Sequence, residues 1–270
     1  MAIAESLYEA GDLDGAVAAA AAAVKAKPTD AAARSFFVEL LCFDGQIARG
    51  IQQLDVIGRL VPDLAAGAGK LRVLLEGEQV RRAVLAGDRL PDLFDPPGDS
   101  LELHLTGVAM VQGGDLVTAK ETIDMAEETR APVPGTCDGQ QFEDLRDLDD
   151  VLGPVLEILT PDGRYLWVPF SSLRSIAFRP AERPRDLIWR AGELLLRDGR
   201  RGPVYVPALY PTPADRSASL KLGRESDWIV DGGPARGLGR KSLLIGDEDR
   251  DILSIDLITF GDGQAGEAPQ

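Results

Sequence analysis

Histidine is almost absent from this chain and cysteine is rare, and both absences exclude chemistry. The 270 residues hold one His, His104, and two Cys, Cys42 and Cys137. No CxxC, HxxxH or Cys/His cluster occurs, so neither a structural zinc site nor any other metal centre of that kind is expected. A catalytic triad built on histidine could use only His104. That residue lies in Leu101-Glu102-Leu103-His104-Leu105, an apolar stretch of a predicted helix, where packing explains it better than ligation or proton transfer. Two cysteines without pairing spacing fit a reducing compartment. Long apolar runs are also missing. The Ala-rich stretch from Ala16 to Val24 is far shorter than the ~20 residues that span a bilayer, and no charged-then-apolar leader opens the chain. The expectation is a cytoplasmic protein.

Positive charge is scarce as well. Lys and Arg number 29 against 44 Asp and Glu, a formal net charge of −15. A general nucleic-acid binder needs a basic footprint to displace counterions from phosphates, and an anionic membrane surface attracts basic segments rather than acidic ones. Neither partner is expected. The deficit is uneven. Residues 1–150 carry 13 basic and 27 acidic side chains, a balance of −14, whereas residues 151–270 carry 16 and 17, a balance of −1. Such asymmetry predicts two units with different surfaces.

What is present divides along the same line. Residues 1–130 are rich in Leu, Ala, Val and Glu, with short Gly or Pro breaks. Leu13, Ala16, Val17, Ala20 and Val24 share one face at helical spacing. Gly11-Asp12 reads as a helix stop followed by an N-cap. The punctuation is periodic. Gly11 and Gly45 lie 34 residues apart, as do Pro28, Pro62 and Pro96, and Gly11-Asp12-Leu13 returns as Gly114-Asp115-Leu116. Thirty-four residues is the tetratricopeptide period, in which stacked helix pairs share a core and leave a concave groove. The Trp and Tyr of the full signature are missing, and the third unit, Lys70 to Asp99, departs most from the pattern.

Residues 131–141 read as a linker by composition. Phe142 to Asp150 crowds Asp144, Arg146, Asp147, Asp149 and Asp150 into what is expected to be a turn or two of helix. From Pro154 onward the pattern is that of strands. Val155–Leu159 and Tyr165–Phe170 form the arms of a hairpin about Pro161-Asp162-Gly163. Short runs follow at 187–189, 194–196, 204–206, 228–230, 243–245 and 252–260. In the last, Leu253, Ile255 and Leu257 alternate with Ser254 and Asp256. Many short strands in so few residues predict a small, mostly antiparallel, barrel-like domain over 142–262, with a flexible tail at 263–270. All three Trp and three of the four Tyr lie in this half.

Several phrases here carry a family resemblance. They are Arg146-Asp147-Leu148-Asp149-Asp150, Gly153-Pro154-Val155-Leu156-Glu157, Tyr165-Leu166-Trp167-Val168-Pro169-Phe170 and Arg185-Asp186-Leu187-Ile188-Trp189, then Pro207-Ala208-Leu209-Tyr210, Leu222-Gly223-Arg224-Glu225-Ser226-Asp227-Trp228 and Gly237-Leu238-Gly239-Arg240. In this order and spacing the chain resembles the ImpE family, whose members are also called TagJ or SciE-type virulence proteins, from bacterial type VI secretion loci. With the helical repeats in front, the resemblance covers essentially the whole chain. It implies a non-enzymatic accessory protein that binds an N-terminal helix of the small contractile-sheath subunit and acts near the sheath-disassembly ATPase. An older description of the family is a protein of an avirulence locus. It supplies no catalytic residues.

Gly237-Leu238-Gly239-Arg240-Lys241-Ser242 has an Arg between the last Gly and the Lys, and a strand rather than a helix is expected after it, so no phosphate loop forms. Asp147, Asp149 and Asp150 lack calcium-loop spacing. Pairing of these acids with Arg146, Arg185 and Arg224 across the junction of the two units accounts for them better. Trp189 and Trp228 beside Arg185, Asp186, Arg224 and Asp227 have hot-spot composition. For each of Trp167, Trp189 and Trp228, core packing is the plain account. The expectation is thus an α+β adaptor without cofactor or metal, whose acidic repeat groove takes a basic amphipathic helix. Candidate partner-binding or junction residues are Arg146, Asp147, Asp149, Asp150, Trp167, Arg185, Asp186, Trp189, Arg224, Asp227 and Trp228. Two alternatives stand beside it. One is a scaffold for the ATPase. The other is an enzyme using Asp147 or Asp227, which would require a deep apolar cleft holding paired carboxylates of raised pKa.

Overall fold

A computed structural model describes residues 1–261. The tail expected at 263–270 lies outside the described residues. Seven helices come first: α1 (Ala2–Ala10), α2 (Leu13–Ala26), α3 (Ala31–Phe43), α4 (Ile47–Leu60), α5 (Ala65–Leu85), α6 (Asp99–Gly113) and α7 (Leu116–Thr129). Local sequence sets their ends. Asp12 Oδ1 accepts from the Gly15 amide at 2.8 Å, and Asp30 Oδ1 accepts from the Ala33 amide at 2.9 Å, each satisfying an orphan donor of a first turn. Gly11, Gly45 and Gly114 sit at φ 86°, 76° and 83° in the α1–α2, α3–α4 and α6–α7 turns, a left-handed backbone that residues with a Cβ adopt only at a cost. The 34-residue spacing therefore marks equivalent turns in the first two hairpins.

It fails in the third. Helix α5 runs 21 residues without a partner helix behind it and is followed by a two-residue strand, β1 (Asp92–Leu93). β1 pairs in parallel with a strand of the other half, so the segment 86–98 serves the sheet rather than the helical stack.

Strands β2 (Gly135–Cys137), β3 (Gln140–Phe142), β4 (Leu145–Asp147), β5 (Val155–Leu159), β6 (Tyr165–Pro169), β7 (Leu173–Phe178), β8 (Trp189–Leu196) and β9 (Arg201–Pro207) follow. After them come β10 (Leu209–Tyr210), the one-turn helix α8 (Ala218–Lys221), β11 (Ser226–Ile229), β12 (Arg236–Arg240), β13 (Ser242–Ile245), β14 (Glu248–Asp251) and β15 (Leu257–Phe260). Nine of these strands form one sheet in the order β1-β6-β5-β9-β8-β7-β15-β2-β3, antiparallel throughout except for β1. Its end strands β1 and β3 do not meet, so the sheet is mostly antiparallel as expected but open, and does not close into a barrel. Two three-stranded sheets, β10-β12-β11 and β14-β13-β4, pack beside it.

Three other expectations are corrected. The stretch 131–141 is not a plain linker, because β2 lies within it, paired to β15, and β3 begins there. The acidic stretch 142–150 forms β4 and a turn rather than helix; Asp147 and Asp149 each fold a carboxylate back onto a backbone amide two residues on, which favours a turn. The run 252–260 does not alternate as one strand. A single 3₁₀ turn at Ile252–Ser254 buries Ile252 and Ile255 instead, and leaves Leu257 exposed.

All five residues of β5 are buried, because the sheet is covered on both faces. Its alternation divides two cores. Val155 and Leu159, with Tyr165 and Trp167 of β6, face the helices. Leu156 and Ile158, with Leu166 and Val168, face the far layer, together with Phe142, Leu243 and Ile258. The first core is continuous from Leu13 in α2 to Leu222 after α8, so the helical and β halves share it.

Candidate functional site

The predicted site residues fall into three places. The first is a buried ionic network under α5. On that helix Glu78 and Arg81 face the sheet, 1% and 3% exposed. The Arg81 fork donates to both oxygens of Glu157 on β5, at 2.8 and 2.7 Å, and to the Leu209 carbonyl at 2.9 Å. Lys241 bridges Glu157 at 2.9 Å and Asp147 at 2.7 Å. Tyr210 donates to Asp147 at 2.6 Å, Tyr165 donates to Glu157 at 2.8 Å, and the Trp167 indole donates to Tyr165 at 2.6 Å. The Trp189 indole reaches Glu78 at 3.0 Å. Burial alone would raise the Glu157 carboxyl, but Arg81 and Lys241 hold it down at about 2. Burial would lower the Lys241 ammonium, but Asp147 and Glu157 hold it above the usual range. Every charge has a partner, as buried charges must. Trp189 therefore ties the halves together directly, and Asp147 and Trp167 do so only through Lys241 and Tyr165, their neighbours in the network. Glu78, Arg81, Glu157 and Lys241 complete the network and were not singled out from the sequence.

Asp149 and Asp150 flank this network. Asp149 accepts backbone amides of Val151 and Gly237, both at 2.8 Å. Burial and the neighbouring Asp147 push its carboxyl up to about 7. It also lines an apolar cavity of about 350 Å³ with Val108, Leu152, Trp167 and Leu238. This comes nearest to the cleft that the enzymatic alternative requires, but Asp147 is engaged by Tyr210 and Lys241 and does not line the cavity. Arg146 Nη2 donates to Asp150 at 2.7 Å. It is the only one of the three predicted arginines that pairs with these acids. His104 sits nearby, its Nε2 at 2.9 Å from the Val151 carbonyl, and burial lowers its pKa.

The second place is the end of the first helical hairpin. Arg224 does not meet a carboxylate; it donates to the Tyr8 and Glu9 carbonyls at 2.5 and 3.0 Å, capping the C-terminus of α1. Lys221 pairs with Asp44 beside the equivalent Gly45 turn, at 3.1 Å. Trp228 is half-buried with its ring 5.8 Å from Tyr210, and the exposed Asp227 accepts from the Trp228 amide at 2.9 Å.

The third place is a groove of about 620 Å³ between α3, α4, α5 and the start of β8, where Arg185, Asp186 and Trp189 meet. Its helical wall supplies Leu54, Ile57, Leu64, Leu71 and Leu74. Glu39 enters from α3; burial pushes its carboxyl up to about 7, against the pull of Arg185. The β wall supplies Arg179, Glu182, Arg183, Arg185 and Asp186. Asp186 folds the wall by accepting the Glu182 and Arg183 amides at 3.0 and 2.9 Å. The groove thus sets an apolar floor against a charged wall. Sequence reading found Arg185 but not Arg179 or Arg183, although three arginines spaced between prolines within seven residues were a signal. Among the described residues, no group of three or more His, Cys, Asp or Glu side chains could hold a metal ion, and no helix is long and apolar enough to cross a membrane.

Comparison with known proteins matches this architecture. A family model described as ImpE protein matches residues 139–259. The type VI secretion system accessory component TagJ of Pseudomonas aeruginosa is 33% identical over 233 residues, spanning 86% of this chain and 83% of that protein. The crystal structure of protein VPA1032 from Vibrio parahaemolyticus superposes with a TM-score of 0.88 at 28% identity, covering 97% of this chain and 98% of that one.

Proposed function

This chain belongs to the ImpE/TagJ family, and from that premise we propose that it is a non-enzymatic accessory component of a type VI secretion system that binds a helix of the small contractile-sheath subunit. The observation that carries the reading is the groove between α3–α5 and β8. Five aliphatic side chains face one side of a channel whose other side is charged, and Trp189 is fixed at its base by Glu78. An amphipathic helix would bury its apolar stripe on Leu54, Ile57, Leu64, Leu71 and Leu74, burial worth ~25 cal/mol per Å². Its polar flanks would meet Glu39 and the β-wall charges. The helix–turn–helix stack supplies one wall, and the β half supplies the other. The site is thus composite rather than a groove within the repeats alone.

Co-purification of the full chain with the small sheath subunit, before and after deletion of that subunit's N-terminal helix, tests the reading. Binding is expected to depend on the helix and to be lost with Leu71→Arg in the groove floor. Retention of the complex without the helix would overturn it. Retention of the sheath-disassembly ATPase in its place would favour the scaffold role.

A further inference from the structure

The groove inverts the charge expected of it. The molecule as a whole is at −15, yet in the lining of this one channel Lys70, Arg179, Arg183 and Arg185 outnumber Glu39, Glu182 and Asp186. Among the described residues none of these four cations has a carboxylate within ion-pair distance. Elsewhere in the fold, arginines are largely spent. Arg81 and Arg130 bind carboxylates through forks, Arg190 donates to the Ile252 and Ile255 carbonyls, and Arg224 caps α1. The three arginines of the β wall stand within seven residues of chain, on a segment that Asp186 pins to its own backbone. Both amides meet Asp186 Oδ2, and among the described residues no arginine of the wall forms an ion pair with that carboxylate.

We infer that the groove selects an amphipathic helix carrying acidic side chains along the flank that faces Arg179, Arg183 and Arg185, with its apolar stripe on α4 and α5. This rests on the helix-in-groove reading above. The physical argument is complementarity. Three unpaired guanidiniums on one wall attract carboxylates bidentately and repel a lysine-rich flank. The apolar wall opposite fixes the rotation of the helix, and so decides which flank meets the arginines. A lysine-rich flank set against this wall would face more guanidiniums than carboxylates.

The experiment uses the full chain and the small sheath subunit, with affinity measured at several salt concentrations for Leu71→Arg and for the triple variant Arg179→Ser/Arg183→Ser/Arg185→Ser. The triple variant removes no ion pair and keeps the backbone bonds of Asp186, and an unchanged melting temperature will establish that it folds. The triple variant is expected to bind roughly tenfold or more weakly and to lose most of the salt dependence. Replacing the helix's own acidic residues by Ser should give a similar loss, with little further loss when the two are combined. Wild-type affinity in the triple variant, together with loss in Leu71→Arg, would overturn the acidic-flank inference and leave the groove reading standing. Wild-type affinity in both would overturn the groove reading and this inference with it.

Discussion

Glu39 is a carboxyl in the wrong place for its own stability. It lies partly buried at the groove wall, accepts no hydrogen bond among the described residues, and is pushed up to about 7 by burial despite Arg185. A carboxyl whose folded pKa lies above its unfolded value of about 4.5 binds more protons in the folded state between those two pH values. Stability therefore falls as pH rises through that window, and the full penalty is present above 7. Glu39→Gln removes the ionisation and breaks no hydrogen bond. The variant is expected to melt higher than wild type at pH 8, by on the order of 1 kcal/mol once the open side of the groove is allowed for, and to melt like wild type at pH 5. Equal melting shifts at both pH values would show that charge is not the cause. Glu157 works in the opposite sense. Held at about 2 by Arg81 and Lys241, its contribution is present above 4.5 and is lost as pH falls towards 2.

At the scale of elements, the docking of α5 on the β5–β6 hairpin decides how the two halves meet. A Cβ at Gly77 would lie 2.8 Å from the Gly163 carbonyl, and a Cβ at Gly163 would lie 2.7 Å from Val73. The two glycines let helix and turn approach closely enough for Arg81 to reach Glu157. Arg81→Leu would leave Glu157 and Glu78 buried with fewer partners and is expected to cost about 3–5 kcal/mol, read from urea unfolding. The double variant Arg81→Leu/Glu157→Leu should be less destabilised than Arg81→Leu alone, because no charge is left orphaned. If the double variant is the weaker, the ion pair itself contributes stability beyond its desolvation cost. These contacts explain the limits of sequence reading. The Gly11-Asp12 stop and cap, its return at Gly114-Asp115, the hairpin about Asp162-Gly163 and the strands β5 and β6 are written in local pattern and were legible. The burial of Glu78 and Arg81 was not, because on a helix such residues ordinarily face water and their partners in the β half, Trp189 and Glu157, lie 76 or more residues away in sequence. Nor was the break at 252–256, where tertiary packing of Ile252 and Ile255 overrides an apparent period of two. At the site, Arg185, Asp186 and Trp189 were found by composition. The rest of the groove was not found, since it exists only where two halves distant in sequence face each other.

For the whole molecule, the charge asymmetry between residues 1–150 and 151–270 suggested two units, but surface charge reports on surfaces and carries no information on what lies between them. Between them is one apolar core running from α2 to the segment after α8, with the Arg81–Glu157–Lys241–Asp147 chain buried inside it. Neither half can unfold alone without exposing this core and stripping those charges of their partners, a cost of several kcal/mol per ion. That is comparable to the total stability of an ordinary domain, about 5–15 kcal/mol. Cooperative unfolding of helices and sheet together follows. The chain offers two independent probes of it: all three tryptophans lie in the β half, and far-ultraviolet dichroism at the helical minimum reports chiefly on α1–α7. In urea both signals are expected to change in one transition with the same midpoint and slope. In Arg81→Leu, where the junction is weakened, the two midpoints should separate. Separate transitions in the wild type would instead mean that the shared core contributes little, and that the groove is free to open by movement of one half against the other.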